Sequence, residues 1–324
     1  MLSRNEWDPL QHVVVGRADH AQIPPLDISH RSVNYAGGAD ASAVTVGPYP
    51  VEVIAQANQD LEGLVTMLEN MGVRVSRPEV TDRPAYYNYC PRDSVLVHGD
   101  TILATPMPIR CRRGEHRAMS HIWPTLPRHR FIESNHVHPD ELYNLDDPGK
   151  LAINDSLPAF DAANVLRANR DVFYLVSNTG NRAGADYLQE LLPDCRVWCI
   201  QDIYSFSHID STIALLREGL MLLNPERIRS KDQLPAPLQS WDVIWAPEPT
   251  DIGHWPGYQM ASRWISMNLF SVRPDLVVLE SHQDNLRREL DRWNIDAIML
   301  PGRHHRTLSG GWHCVTLDLE RDHR

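Results

Sequence analysis

Four times along the chain a short apolar run meets a tight turn and a second apolar run, and this recurrence narrows the possible folds more than any other feature. Residues 94–97 turn at Gly99-Asp100 into 101–104, and 164–167 turn near Asn169-Arg170-Asp171 into 172–176. Residues 212–216 turn at Glu218-Gly219 into 220–223, and 266–270 turn at Arg273-Pro274-Asp275 into 276–279. Turn residues between β-branched and aliphatic runs are the signature of a β-hairpin. Helical spacing follows at 183–192 and 284–293, leading to strand-like runs at 196–200 and 297–300. Residues 241–245 supply the strand after the third hairpin, although Pro235 and Pro237 weaken a helix before it. The repeating element is therefore strand–strand–helix–strand.

The chain ends carry the remainder of a fifth copy. Residues 11–15 form a strand with no predecessor, and 314–319 form one with no successor, opening at Cys314 after Gly310-Gly311. Helical spacing over 51–71 stops at Gly72 and leads to a strand at 73–75. Pairing the two ends completes the unit and covers two exposed edges. Five ββαβ units predict an α/β fold of the propeller type, five-bladed and pseudo-symmetric, over residues 1–324 as a single domain around a central channel; an open α/β sheet is the alternative. The aperiodic stretch 17–49, containing Pro, Gly and Ser, reads as a lid loop.

Composition bounds the partners. A formal net charge of −11 argues against nucleic acid and an anionic membrane surface, and the run Arg110-Cys111-Arg112-Arg113 reads as a solvated face. The five cysteines form no CxxC pair, Cys195 and Cys199 fall in one strand-like run as core residues, and the N-terminus MLSRNEWDPL has no apolar signal core. A reduced, cytoplasmic setting is expected. Among 16 histidines, His304-His305 are adjacent and His136 and His138 precede Pro139 in a loop, so no metal is expected.

Placed on the repeat, the polar residues fall at one end. Asp93 precedes its hairpin in Cys90-Pro91-Arg92-Asp93, and Asp161 precedes the next. His208 and Asp210 precede the third, Ser262 the fourth, and Cys314 opens the last strand. Arranged around an axis, these side chains converge at one mouth. A thiolate beside an imidazolium is a competent nucleophile, Asp210 two residues on is placed to orient the His208 ring, and paired carboxylates suit a planar guanidinium. Each residue also has an ordinary structural reading: Asp93 as a turn cap, Asp161 as a partner of Arg167 or Arg170, His208 and Cys314 as core.

Phe160-Asp161-Ala162-Ala163, Ser207-His208-Ile209-Asp210, Asn224-Pro225-Glu226-Arg227 and Gly310-Gly311-Trp312-His313-Cys314 together resemble the glycine/inosamine amidinotransferases, and the resemblance runs from Asn5-Glu6-Trp7-Asp8 to about Leu319. It implies the pentein fold and an arginine:amine amidinotransferase without a cofactor. Cys314 is then the nucleophile that carries the amidino group, releasing L-ornithine. His208 is the acid and base, and Asp161 its carboxylate partner. Asp93 and Asp210 are implied ligand contacts, with Arg227, Ser262 and Ala261 around the amino-acid part. Departures are Ala261 in place of one serine of a pair, Ser309 in place of a glycine, and Ser207 where glycine-using members carry Met. These point to a primary amine other than glycine as acceptor, in secondary-metabolite biosynthesis. The partners are small molecules, with a homodimer left open. A guanidino hydrolase of the same fold is the nearest alternative, and a non-catalytic binding protein a more distant one.

Overall fold

The computed structural model describes residues 2–35, 44–80, 86–145, 147 and 149–323. Five three-stranded sheets repeat one plan, an antiparallel hairpin followed by a third strand parallel to the hairpin's second. Val95–His98, Thr101–Ala104 and Arg130–Glu133 form one sheet. Val165–Ala168, Asp171–Leu175 and Arg196–Ile200 form the next. Ile213–Arg217, Leu220–Leu223 and Asp242–Trp245 form another. Phe270–Arg273, Leu276–Glu280 and Asp296–Leu300 complete the consecutive series. In the remaining sheet the last strand, Thr316–Arg321, lies antiparallel to Leu10–Val15, and Arg74–Ser76 runs parallel to the latter.

Local chemistry explains these elements. Three hairpin turns need a left-handed residue and place Gly99, Asn169 and Gly219 there, at φ 65°, 62° and 80°. Helix Val51–Asn70 buries Val53, Ala57, Leu61, Leu64 and Leu68 along one stripe, and Gly72 at φ 82° ends the segment. Helix Arg182–Leu191 starts at Asn181, whose side chain accepts the Gly184 N–H at 2.8 Å.

Five hydrophobic clusters each draw on two sheets. Val14 and Leu317 pack with Val95 and Val97. Leu96 and Leu103 pack with Val165 and Val172. Leu166 and Phe173 pack with Leu215 and Met221. Leu222 and Ile244 pack with Val277 and Leu279. Phe270 and Val278 pack with Val13 and Val15. Within this frame lies a buried ionic network: Arg167 donates to Glu6 at 2.8 and 2.7 Å and to Asp318 at 2.9 Å, and Arg92 and Arg321 reach Asp318 at 2.7 and 2.8 Å.

Several sequence expectations shift. The run at 266–270 is not a strand: a 3-10 helix, Arg263–Met267, precedes the strand Phe270–Arg273. Equivalent one-turn segments precede the other hairpins at Pro91–Ser94, Ala162–Asn164 and Ile209–Ser211. Cys314 likewise lies in a turn at 312–315, before the strand rather than at its first position. The stretch 17–49 contains helix Ile28–Tyr35 and a small pairing of Gln22–Ile23 with Gly47–Pro48; its centre, 36–43, lies outside the described residues. Arg112 is not solvated: it is 4% exposed, its guanidinium bound by Asp93 and Glu115. His304 and His305 sit in a turn and are both buried. Cys195 and Cys199 are only half-buried, Cys199 within its strand and Cys195 just before it.

Candidate active site

The one-turn segments before the hairpins are the platform of the site. They pack one on the next, Pro91–Ser94 against Ala162–Asn164, that against Ile209–Ser211, and Ile209–Ser211 against Arg263–Met267. A turn of this kind stops the strand short and points its first side chains inward. Asp93, Asp161, His208, Asp210, Ala261, Ser262 and Cys314 all line one cavity of about 320 Å³.

The reacting groups are close together. The His208 Nε2 lies 2.8 Å from Asp161 Oδ2, and its Nδ1 lies 3.7 Å from Asp93 Oδ1. One carboxylate oxygen of Asp93, a ring nitrogen of His208 and the Cys314 sulfur all lie within 4.8 Å of one another. Among the described residues, this trio is also the group whose spacing would suit a metal ion. The Cys314 thiol donates to Asp210 Oδ2 at 3.2 Å, and its backbone N–H donates to Asn268 Oδ1 at 2.9 Å. Asp210 does not orient the His208 ring, because the 3-10 turn at Ile209–Ser211 breaks the extended geometry that the two-residue spacing assumed. Asp161 takes that place, and Asp210 bonds His313 at 3.0 Å instead. Neither Arg167 nor Arg170 pairs with Asp161.

Two oxygens stand out. Asp93 Oδ2 accepts from Arg112 at 2.9 Å and Asp161 Oδ2 from His208, but Asp93 Oδ1 and Asp161 Oδ1 are buried with no hydrogen-bond partner. A buried carboxylate oxygen without a donor costs free energy, so the pair is built for donors brought by a ligand.

The electrostatics describe a resting state with a neutral thiol. Contact with the Cys90 thiol, burial and the Asp210 charge hold the Cys314 thiol well above its ordinary value, against the influence of His208. Burial pushes His208 down, but the Asp93 charge and the Asp161 hydrogen bond more than offset it and hold the imidazolium well above its ordinary range. Burial raises the Asp93 carboxyl. Burial also pushes Asp210 upward, yet His313 and His208 bring it down to about 2. A cation entering between the carboxylates favours the thiolate, since it offsets the charges that suppress it.

Arg227 is the expected residue that the structure does not place in the cavity wall. Its guanidinium lies 3.6 Å from the Tyr204 ring centroid and donates to Ser211 and Thr212, so Tyr204 and Ser211 stand between it and the cavity. Residues that sequence reasoning assigned no role are Arg112, which fixes Asp93; Asn268, which holds the Cys314 amide; and Cys90, whose thiol touches Cys314. Cys90 lies in the short run Cys90-Pro91-Arg92-Asp93 and Arg112 in the basic run Arg110-Cys111-Arg112-Arg113, and no periodicity separates such a residue from a surface one. Ser309, where the resemblance implies glycine, has φ 56° and hydrogen-bonds Met260 O at 3.2 Å. A left-handed serine costs about 1–2 kcal/mol, which the hydroxyl bond offsets in part.

No protein-family model matches the chain. It is 38% identical to inosamine-phosphate amidinotransferase 1 of Streptomyces glaucescens, covering 98% of this chain and 95% of that one. It is 30% identical to the mitochondrial glycine amidinotransferase of Xenopus tropicalis, covering 99% and 83%. Among solved structures, the inosamine-phosphate amidinotransferase of Streptomyces griseus superimposes with a TM-score of 0.96 at 37% identity, covering 100% and 97% of the two chains. An amidinotransferase of the saxitoxin biosynthetic pathway from Microseira wollei gives 0.90 at 29%, covering 100% and 98%. A dimethylarginine dimethylaminohydrolase, at 16% identity and a TM-score of 0.64 over 95% and 99%, shares the fold. Sequence identity along almost the whole length and a matching fold agree: the chain belongs to the inosamine-phosphate and glycine amidinotransferase family of the pentein superfamily.

Proposed function

We propose that the protein moves the amidino group of L-arginine to a primary-amine acceptor through a covalent amidino-Cys314 intermediate, releasing L-ornithine. The observation that carries this reading is the pair of buried oxygens without a hydrogen-bond donor, Asp93 Oδ1 and Asp161 Oδ1, in the same cavity as the Cys314 sulfur. A guanidinium offers a planar set of N–H donors to carboxylates. In the first half-reaction the sulfur attacks the guanidinium carbon and the bond to the ornithine nitrogen breaks. Binding of the cation releases the thiol proton, the resulting thiolate attacks, and the His208 imidazolium gives its proton to that nitrogen and is left neutral. In the second, the neutral His208 removes a proton from the acceptor amine as it attacks the thiouronium, which restores the imidazolium while the sulfur leaves as thiolate. Asp161 orients His208. Asp93 and Asp210 contact the guanidinium side. Ser262 and Ala261 line the end of the cavity near the amino-acid part, and Arg227 supports that end through Tyr204 and Ser211.

Ser207 lines the cavity with a small side chain, which supports an acceptor larger than glycine. Relatives named for an inosamine phosphate and for saxitoxin biosynthesis support a role in secondary metabolism. The chain works as one domain, its five sheets closing into a ring about a channel; the five shared clusters, each joining one sheet to the next, support this. The segment 17–49 acts as a lid, supported by Asn34 and Tyr35 in the cavity wall. Five free cysteines support a reducing compartment, and no helix among the described residues is long and apolar enough to cross a membrane.

Exchange of label between ornithine and arginine tests the first half-reaction, and mass analysis of arginine incubated with an amine panel tests the second. Label exchange with a guanidinylated amine is the expected result. Citrulline and ammonia instead assign a hydrolase, and a folded protein without exchange removes the catalytic reading.

A further inference from the structure

His313 is buried and touches neither the His208 ring nor the Asp161 carboxylate, so the mechanism above leaves it without a task. Its position is nonetheless fixed at every group. Its backbone N–H donates to Asn268 O at 3.2 Å, and its carbonyl accepts the Arg92 Nε at 2.8 Å. Its ring nitrogens face carboxylates on opposite sides: Nδ1 lies 3.0 Å from Asp210 Oδ2 and Nε2 lies 3.4 Å from Glu6 Oε2. Glu6 is itself held by Arg167 at 2.8 and 2.7 Å. The Asp210 oxygen that His313 holds also receives the Cys314 thiol at 3.2 Å, and Asp210 lines the substrate cavity.

We propose that His313 is a positioning residue for the amidino-transfer reaction: it clamps the Asp210 carboxylate against the nucleophile and ties that carboxylate to the buried Glu6–Arg167 ion pair. The immobile end of the clamp is the ionic network; the working end is Asp210. The Nδ1–H donates to Asp210 because an ionised carboxylate only accepts. One oxygen thus holds the thiol in line with the incoming guanidinium carbon, and the rest of the carboxylate faces the substrate. Without the clamp, Asp210 loses its fixed direction, and fixed direction is what separates a preorganised contact from a mobile one. The clamp's effect on arginine rests on the reading of Asp210 as a substrate contact given above; its structural effect does not.

The test compares His313→Leu with His313→Asn. The asparagine amide reaches about as far as Nδ1 and still donates to Asp210, but it cannot reach Glu6. In ornithine–arginine exchange, His313→Leu raises the KM for arginine about tenfold or more, the weight of one hydrogen bond to a charged group, and lowers kcat by a smaller factor. His313→Asn restores KM to within about threefold, since the bond to Asp210 is retained. Crystal structures show Asp210 turned away from the Cys314 sulfur in the leucine variant and in place in the asparagine variant. If His313→Leu does not fold, His313→Asn alone decides: an arginine KM as high as that of Asp210→Asn overturns the proposal. An unmoved Asp210 with unchanged KM in His313→Leu overturns it as well. Wild-type protein without exchange would refute the amidinotransferase reading alone, and the Asp210 position in the two variants would still decide the clamp.

Discussion

Replacing Asp161 by Asn tests the acid–base machinery with little change of shape. The substitution leaves a planar group of the same size but removes the charge that accepts from His208 Nε2 at 2.8 Å. A hydrogen bond between charged partners contributes about 1.5–3 kcal/mol, which corresponds to a loss in kcat of roughly ten- to hundredfold. The pH profile gives a sharper reading than the rate. Burial pushes His208 toward neutrality, and the Asp93 charge together with the Asp161 bond pushes it further the other way. Because the imidazolium must protonate the ornithine leaving group, activity falls on the alkaline side as that proton is lost. With Asp161 neutral, the Asp93 charge 3.7 Å from Nδ1 and the contact with Cys314 still hold the imidazolium, but less strongly, so the alkaline limb moves to lower pH. The stability linkage has the same sign. A raised folded-state value stabilises the protein fully below the unfolded value near 6.5 and loses that effect as pH rises through the folded value, so this loss also begins at lower pH in the variant. The assay is ornithine–arginine exchange from neutral to alkaline pH at saturating arginine. An alkaline limb at the wild-type position with near-normal kcat would refute the assigned coupling.

Other substitutions probe separate links. Cys314→Ala abolishes exchange while leaving the thermal transition close to wild type, because the sulfur's bonds are few; residual turnover in that variant would reassign the nucleophile. Arg167→Met takes from Glu6 its close guanidinium partner, leaving Arg92 at 3.5 Å, and from Asp318 one of three guanidinium partners, costing about 3–5 kcal/mol in denaturant unfolding; a loss below 1 kcal/mol would show that the remaining arginines replace the guanidinium. A Cβ at Gly310 would lie 2.4 Å from the Cys90 sulfur, so Gly310→Ala destabilises by about 1–3 kcal/mol, and adding Cys90→Ala recovers part of that loss; additive effects would contradict the clash. Arginine slows proteolysis within 17–49, measured by peptide mapping, and identical cleavage with and without it would count against a lid.

Much of this was legible because the repeat repeats its chemistry as well as its shape. Gly99, Asn169 and Gly219 marked three hairpins with residues suited to positive φ, and Asp93, Asp161 and Asp210 fell at equivalent places before them. The fourth hairpin was misplaced because Ile265-Ser266-Met267-Asn268-Leu269 is a short apolar run, which a strand and a 3-10 turn share equally. The third strand Arg130–Glu133 went unseen: three of its four residues are exposed, and only 3-10 turns rather than a patterned helix precede it. Partner choice was the least legible layer. Two-residue spacing joined His208 to Asp210, whereas the partner is Asp161, 47 positions away, which the family resemblance alone had implied. Likewise Arg112 looked like part of a basic surface run, because pairing with Asp93 and Glu115 is a property of the folded site and not of the run.

The sheet that joins Leu10–Val15 to Thr316–Arg321 sets an order on how activity arises. The turn bearing the sulfur leads directly into Thr316–Arg321, and its amides rest on Asn268, just before the preceding sheet. All four consecutive sheets precede that turn in the chain, so a growing polypeptide can form those sheets before the Cys314 thiol reaches its place beside them.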